Sequence, residues 1–121
     1  MTYKDAKAEC NQAGGVLAKL NSQEAIDTAL LLLGPDPKNA WFGLDRLRQG
    51  SVHGVFRWLE DGTDLDETVF EDWCAPSPNR EGRCVMLNAF SDVHCLAQGN
   101  TWNDVSCEQT LRYAICRRLS L

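Results

Sequence analysis

The stretch Trp102-Asn103-Asp104, with Cys107 three residues later, carries most of the information about the fold of this chain. Asn103 and Asp104 supply the hard oxygen donors that Ca²⁺ prefers. Trp102 has a ring large enough to be buried beside them and to fix where those oxygens point. We therefore expect any specific recognition by this protein to take place at this stretch.

The composition is that of one globular domain covering residues 1–121, too short for two independent cores. Hydrophobic residues make up 44% and charged residues 24%, which excludes a disordered chain. The net charge of −5 argues against nucleic-acid binding. Residues 60–72 hold seven acidic and no basic side chains. Without these seven negative charges, the rest of the chain has a net charge of −5 + 7 = +2. No EF-hand register is present in this run, which predicts a solvated hairpin face.

The chain contains six cysteines. They are Cys10, Cys74, Cys84, Cys95, Cys107 and Cys116. None forms a C-x-x-C pair, so a disulfide framework is favoured over a zinc or redox site, with 15 pairings open. Such a framework predicts a secreted or extracellular protein. No apolar run is long enough to cross a membrane, and no signal peptide opens the chain, which favours a mature or trimmed form.

The first third of the chain has helical patterning. A first helix is predicted from Thr2 to the Gly14-Gly15 pair, and a second from Ser22 to the Gly34-Pro35 pair. The four consecutive leucines at 30–33 cannot share one narrow stripe. We therefore expect the second helix to be covered on more than one side.

Short strands and long loops follow the helices, which predicts an α+β fold. The predicted strands are 16–20, 41–44, 55–58, 84–87 and 113–118. Residues 65–83 have no sustained period and 88–101 form a polar insertion. A long irregular loop inside a compact domain is usually functional.

A series of short pieces occurs in a fixed order along the chain. They are Met1-Thr2-Tyr3, Ala6 and Cys10, Gly14-Gly15-Val16-Leu17-Ala18, Trp41-Phe42-Gly43-Leu44, Phe56-Arg57-Trp58, Asp61-Gly62, Trp73, Cys84-Val85, Trp102-Asn103-Asp104, Cys107 and Ile115-Cys116. In these pieces and their order the chain resembles the C-type lectin-like domain. The resemblance implies two helices, two small antiparallel β-sheets, and a long loop region that carries the binding site.

The resemblance also implies disulfide pairs. They are Cys10–Cys116 and Cys84–Cys107. Cys74 and Cys95 are additional to the basic family pattern, and we expect them to pair with each other and to staple the long loop to the insertion before Trp102. The alternatives are free thiols or a bridge between two chains.

The beginning of the chain departs from the family pattern, because members start with a strand that pairs with the last one. Here the predicted helix starts at Thr2, so the first family strand is missing and residues 114–118 are expected to present an unpaired edge. Either residues before Met1 are missing, or a second chain supplies the partner and the protein is a homodimer through its last strand.

The resemblance implies a calcium site of five residues in sugar-binding members, with the sugar hydroxyls completing the shell. The corresponding positions here are Ser77 and Asn79 around Pro78, Gly82 two residues before Cys84, and Asn103 with Asp104. Asn79, Asn103 and Asp104 match the family ligands, whereas Ser77 and Gly82 replace two carboxylates. Calcium affinity rises with the number of charged ligands, so a weak or absent site is expected. Glu81 would take the place of the missing glutamate ligand only if the loop were shifted by one residue.

Two functions remain open. The first is carbohydrate binding through a weak or incomplete Ca²⁺ site, with Ser77, Pro78, Asn79, Asn103 and Asp104 contacting the ligand. The second is a calcium-independent lectin-like module that binds a protein or other non-sugar ligand through the long loop. The expected partner is a glycan or glycoprotein, without nucleic acid or membrane insertion.

Other chemistry is disfavoured by the residues. His53 and the His94-Cys95 pair lack the spacing of a zinc site, and a disulfide-bonded cysteine cannot act as a nucleophile. No nucleophile elbow, P-loop or H-E-x-x-H motif occurs. The chain is therefore not expected to be an enzyme.

Overall fold

The computed structural model describes residues 1–46, 56–65, 70–75, 82–89 and 93–118, apart from the side chains of Ala89, Val93 and Gln98. Its helices are α1 (Tyr3–Gln12), α2 (Gln23–Leu33) and α3 (Val93–Gln98). Its strands are β1 (Gly15–Leu17), β2 (Lys38–Arg46), β3 (Phe56–Trp58), β4 (Cys84–Ala89), β5 (Trp102–Val105), β6 (Tyr113–Ala114) and β7 (Cys116–Arg118). The predicted α+β class is confirmed.

Both long helices begin at the predicted caps. Thr2 and Asp5 form a reciprocal capping box, with the Asp5 backbone N–H donating to Thr2 Oγ1 and the Thr2 N–H donating to the Asp5 carboxylate. Ser22 Oγ accepts from the Ala25 backbone N–H at 3.1 Å. Gly34 ends α2 with φ at 87°, a conformation that side chains strongly disfavour.

The strands form two sheets. The larger has the order β3-β2-β4-β5 with antiparallel neighbours, and the short β6 joins β2 in parallel. The smaller sheet pairs β1 with β7. The predicted last strand is divided at Ile115, whose N–H donates to Trp41 and whose carbonyl accepts from Ala18. The chain therefore passes from one sheet to the other at this residue.

The core has two parts, because successive side chains of β2 point to opposite faces of the sheet. Phe42 and Leu44 pack on one face with α2, whereas Trp41 packs on the other with α1. All three are fully buried. A strand that is apolar on both faces must be covered on both, and the two helices provide this cover.

The expectation that α2 is covered on more than one side is wrong. Leu31 and Leu32 are 83% and 73% exposed, whereas Ile26 and Ala29 are buried. The helix therefore packs along one stripe, and its leucine run extends past that stripe into solvent. A second difference is α3, which makes part of the predicted polar insertion helical.

The disulfides are Cys10–Cys116, Cys74–Cys95 and Cys84–Cys107, and the described residues contain no free cysteine. These are the pairs expected from the resemblance, together with the additional bridge. The smaller sheet leaves the second edge of β7 without a partner strand among the described residues. Pairing of that edge with a second chain remains a prediction.

The turn after β3 supplies a pH-dependent contact. Hydrogen bonds from Lys19, at 2.6 Å, and from Thr63 lower the pKa of Asp61 from 3.8 to about 2. The folded pKa is below the unfolded one, so this contact stabilises the fold above pH 4 and is lost as the pH falls from about 4 to about 2.

Asp61→Asn is therefore expected to lower the free energy of unfolding by less than about 1 kcal/mol at neutral pH, since the pair is partly exposed. Urea unfolding of both proteins between pH 2 and pH 7 measures the difference, which should shrink towards the acid end. A difference that grows on acidification would contradict the assignment.

Candidate functional site

The predicted centre of the site, Trp102-Asn103-Asp104, lies on β5 at one edge of the larger sheet. Trp102 is fully buried and contacts four other rings. The ring centroids lie 5.5 Å from Phe42, 5.7 Å from Trp58, 5.8 Å from Phe70 and 5.4 Å from Trp73. Its primary role is therefore structural, since it joins the long loop at 70–75 to the core.

Asn103 and Asp104 point to opposite faces of β5, as neighbouring residues on a strand do. Asp104 pairs with Val85 and shares the face of Trp102, where it is fully buried. Asn103 pairs with Met86 and is half-buried. Its Oδ1 lies 3.9 Å from Cys95 Sγ, which is a contact and not a hydrogen bond because a disulfide sulfur carries no proton. A cation bound by both side chains would have to sit beside the strand edge.

Gly82 occupies the position where the resemblance implies a glutamate ligand, and the backbone around it leaves no room for a side chain. A Cβ atom added there would lie 1.9 Å from the carbonyl carbon and oxygen of Val105 and 2.3 Å from the Ser106 nitrogen. Such separations are far inside van der Waals contact. The carbonyl of Gly82 in turn accepts from Arg46 Nη2 at 3.1 Å. Glycine is therefore a packing requirement at this position.

Four of the predicted site residues lie outside the described part of the chain. They are Ser77, Pro78, Asn79 and Glu81. Among the described residues, no group of three or more His, Cys, Asp or Glu side chains is placed to hold a metal ion. Asn103 and Asp104 contribute one amide and one carboxylate, whereas Ca²⁺ takes six to eight oxygens. The described residues alone do not fit a calcium site.

Asp72 fixes the loop at 70–75 through hydrogen bonds that the sequence did not indicate. It belongs to the acidic run predicted as a solvated face, yet it is only 5% exposed, so that prediction is wrong for this residue. Thr101 Oγ1 donates to the Asp72 carboxylate at 2.6 Å, and the Asp72 backbone carbonyl accepts from the N–H groups of Thr101 and Trp102. Burial raises the pKa of Asp72 above its usual range. The residue holds the loop against the start of β5.

The Cys74–Cys95 disulfide fixes the same loop to α3. The Cys74 N–H also donates to the Trp102 carbonyl at 2.9 Å, so the loop is bonded both to β5 and to the insertion. The extra bridge thus connects the two segments on either side of the candidate site. It makes the described part of the long loop a rigid support.

Gly82→Glu, which would restore the family carboxylate, is expected to destabilise the fold without creating calcium affinity. Forcing atoms into a closed space costs typically about 1–3 kcal/mol. Chemical unfolding measures that loss, and calorimetry with Ca²⁺ measures any gain in affinity. Gly82→Ala is the matched control, because it adds the Cβ without a charge and should be destabilised as well. A Gly82→Glu protein that binds calcium and is as stable as the wild-type protein would contradict the conclusion that the backbone leaves no room for a side chain at this position.

Comparison with known proteins agrees with the fold. Residues 1–118 match the lectin C-type domain family. The chain is 29% identical over 115 residues to pulmonary surfactant-associated protein D of Sus scrofa, covering 95% of this chain and 28% of that protein. It is 26% identical over 121 residues to human E-selectin, covering 96% and 18%. The chain spans between 7% and 31% of the lengths of the curated relatives compared.

Solved structures are similar over almost the whole chain. The carbohydrate-recognition domain of cow CD23, determined in the presence of a GlcNAc2Man3 oligosaccharide, has a TM-score of 0.75 and 25% identity, covering 100% of this chain and 82% of that one. A calcium-independent type II antifreeze protein has a TM-score of 0.70 and 26% identity, covering 96% and 77%. No described helix is of a length and hydropathy that would span a membrane. The chain belongs to the C-type lectin domain family.

Proposed function

We propose that this domain is an extracellular recognition module that binds a glycan or glycoprotein without depending on a calcium ion at the position of Asn103 and Asp104. The observation that carries the proposal is the closed space at Gly82, where a Cβ would lie 1.9 Å from the backbone of Val105. One expected carboxylate is therefore absent, and Ser77 replaces another in the sequence. Losing two charged ligands weakens a calcium site strongly.

The fold supports recognition on rigid loops. Three disulfides join distant parts of the chain, and the described part of the long loop is bonded to β5. Binding surfaces on loops work best when a scaffold positions them in advance. The disulfides also support an oxidising, extracellular location. The antifreeze protein compared above is calcium-independent by its own description, so this fold tolerates the loss of the ion.

Calcium-dependent sugar binding is the competing function, and it requires Asn79 or Glu81 to complete the ligand set. A glycan array probed with and without a calcium chelator separates the two. We expect the same glycans to be bound in both conditions, and Asp104→Asn to leave the pattern unchanged once the folded fraction is matched. Binding that disappears with chelator would overturn the proposal. Binding to no glycan in either condition would also overturn it and would favour the calcium-independent module for a protein or other non-sugar ligand.

A further inference from the structure

The protein has a concave surface that neither Asn103 nor Asp104 lines. A cavity of about 420 Å³ opens between the first turns of α1, the end of β2, the start of β4 and the residues that follow β5. The volume falls within the range of small-ligand sites. The buried Tyr3 and the Cys84–Cys107 disulfide line it, so part of its wall is covalently fixed.

Four basic side chains line this cavity, and one of them, Arg46, also donates to the Gly82 carbonyl and lies over the Phe56 ring. Lys4 and Lys7 are three residues apart on α1 and therefore share one face. Arg46 ends β2 and Arg83 directly precedes β4, and the pairing of Asp45 with Cys84 places them side by side. The Arg46 N–H donates to the Arg83 carbonyl at 2.7 Å. The sequence gives no sign of this cluster, because its members lie in three separate segments.

Hydrogen bonds join α1 to the end of β2 and to the residues that follow β5. The Tyr3 N–H donates to the Cys107 carbonyl at 3.1 Å, and the Tyr3 hydroxyl donates to Asp45 Oδ2 at 2.9 Å. Burial and the nearby Asp45 carboxylate raise the pKa of Tyr3, so the hydroxyl stays protonated and keeps donating. The cations are therefore presented by a preorganised wall, which lowers the cost of ordering them on binding.

The charge at this cavity is opposite to that of the whole protein. Four of the 12 Lys and Arg residues line it, against the two carboxylates of Asp45 and Glu108, while the chain as a whole carries −5. The ion pairs of the described residues are Lys19–Asp61 and Arg117–Glu60, and neither includes a cavity cation. The positive charge here is therefore not neutralised by a direct ion pair in the described part of the chain. A bound anion would relieve the mutual repulsion of the four groups.

We propose that this cavity is an anion subsite that binds the sulfate group of a sulfated glycan. A sulfate ester presents three terminal oxygens that share one negative charge, which suits several cations lining one cavity, and guanidinium groups bind such oxygens as forks. A cation cluster confined to one cavity does not follow a phosphate backbone, so nucleic acid is disfavoured. The inference rests on the proposed function, because it names the class of glycan that the module takes.

The test uses a sulfated heparin-derived octasaccharide and the same octasaccharide after chemical desulfation, titrated calorimetrically into the protein in chelator. The sulfated form is expected to bind and the desulfated form not. Lys4→Gln with Lys7→Gln, on the helix surface, should weaken binding at least about tenfold, since two charge-assisted contacts are lost. Arg83→Gln tests the opposite wall and should also weaken binding. Thermal unfolding checks that each variant is folded.

Arg112→Gln with Arg118→Gln is the matched control, because it removes the same charge from exposed residues that do not line the cavity. It should change affinity less than about threefold, as diffuse attraction alone predicts. Equal losses in both double variants, or equal binding of an oligoglutamate peptide, would overturn the sulfate subsite. The two proposals can fail separately. If the cavity variants still bind neutral glycans on the array, the proposed function stands even where the sulfate subsite is overturned.

Discussion

Trp102→Ala is expected to lower the free energy of unfolding by about 3–5 kcal/mol, the range for truncating a large buried aromatic residue. The indole is fully buried and has four rings around it at centroid distances of 5.4 to 5.8 Å. No single neighbour can fill the space it leaves, because two of them are themselves fully buried tryptophan and phenylalanine side chains of the sheet. Guanidinium unfolding with the disulfides intact measures the loss.

Leu96→Ala is the control for this prediction. Leu96 is 53% exposed on α3, so truncating it should change the free energy of unfolding by less than about 0.5 kcal/mol. Trp102→Phe should be intermediate, since it keeps a ring in the aromatic cluster. A Trp102→Ala protein as stable as the Leu96→Ala protein would show that the cluster does not hold the long loop to the core.

Removing the Cys10–Cys116 bridge by a double alanine substitution is expected to cost about 4–5 kcal/mol, the second large effect. Its ends are 106 residues apart, so it closes nearly the whole chain and strongly restricts the unfolded state. It also joins α1 to β7, at the edge strand of the smaller sheet. Denaturant unfolding of the double variant against the wild-type protein gives the difference.

The matched comparison is the double alanine variant at Cys74 and Cys95. That bridge spans 21 residues, and the same chain-entropy argument gives about 3 kcal/mol. The order of the two losses is the sensitive part of this prediction. A larger loss from the shorter bridge would mean that strain or native-state contacts, rather than loop closure, control the stability.

The fold was accessible from the sequence where the signals are local. Thr2 and Ser22 cap their helices as predicted, because a cap needs only a side-chain oxygen three residues before the N–H that it accepts from. The order of tryptophan, glycine and cysteine pieces then identified the family and its paired cysteines. These features depend on short spacings that a sequence displays directly.

Features that depend on distant packing were not accessible. Leu31 and Leu32 look like core residues, yet they face solvent because α2 uses one stripe only. Asp72 looks like a solvated acid, yet the start of β5 covers it. The four cavity cations come together only through the pairing of β2 with β4 and the docking of α1.

The candidate site could be predicted from the sequence only in part. The resemblance identified Gly82 as a missing ligand, and the structure adds the reason, since the Val105 backbone occupies the space that a side chain would need. Asn103 and Asp104 lie on β5, a strand that is not among those predicted from the sequence. The predicted ligands Asn79 and Glu81 fall outside the described residues, so their contribution remains a prediction.

Calorimetric titration of the folded protein with Ca²⁺ at neutral pH tests the central claim most directly. The account predicts no saturable heat up to about 10 mM, beyond the affinities of about 10⁻⁴–10⁻³ M typical of extracellular calcium modules. The unfolding midpoint should likewise be the same with Ca²⁺ and with chelator, because an ion that does not bind the native state cannot stabilise it. A saturable heat that Asp104→Asn abolishes, with a matching rise of the midpoint in Ca²⁺, would contradict calcium-independent recognition.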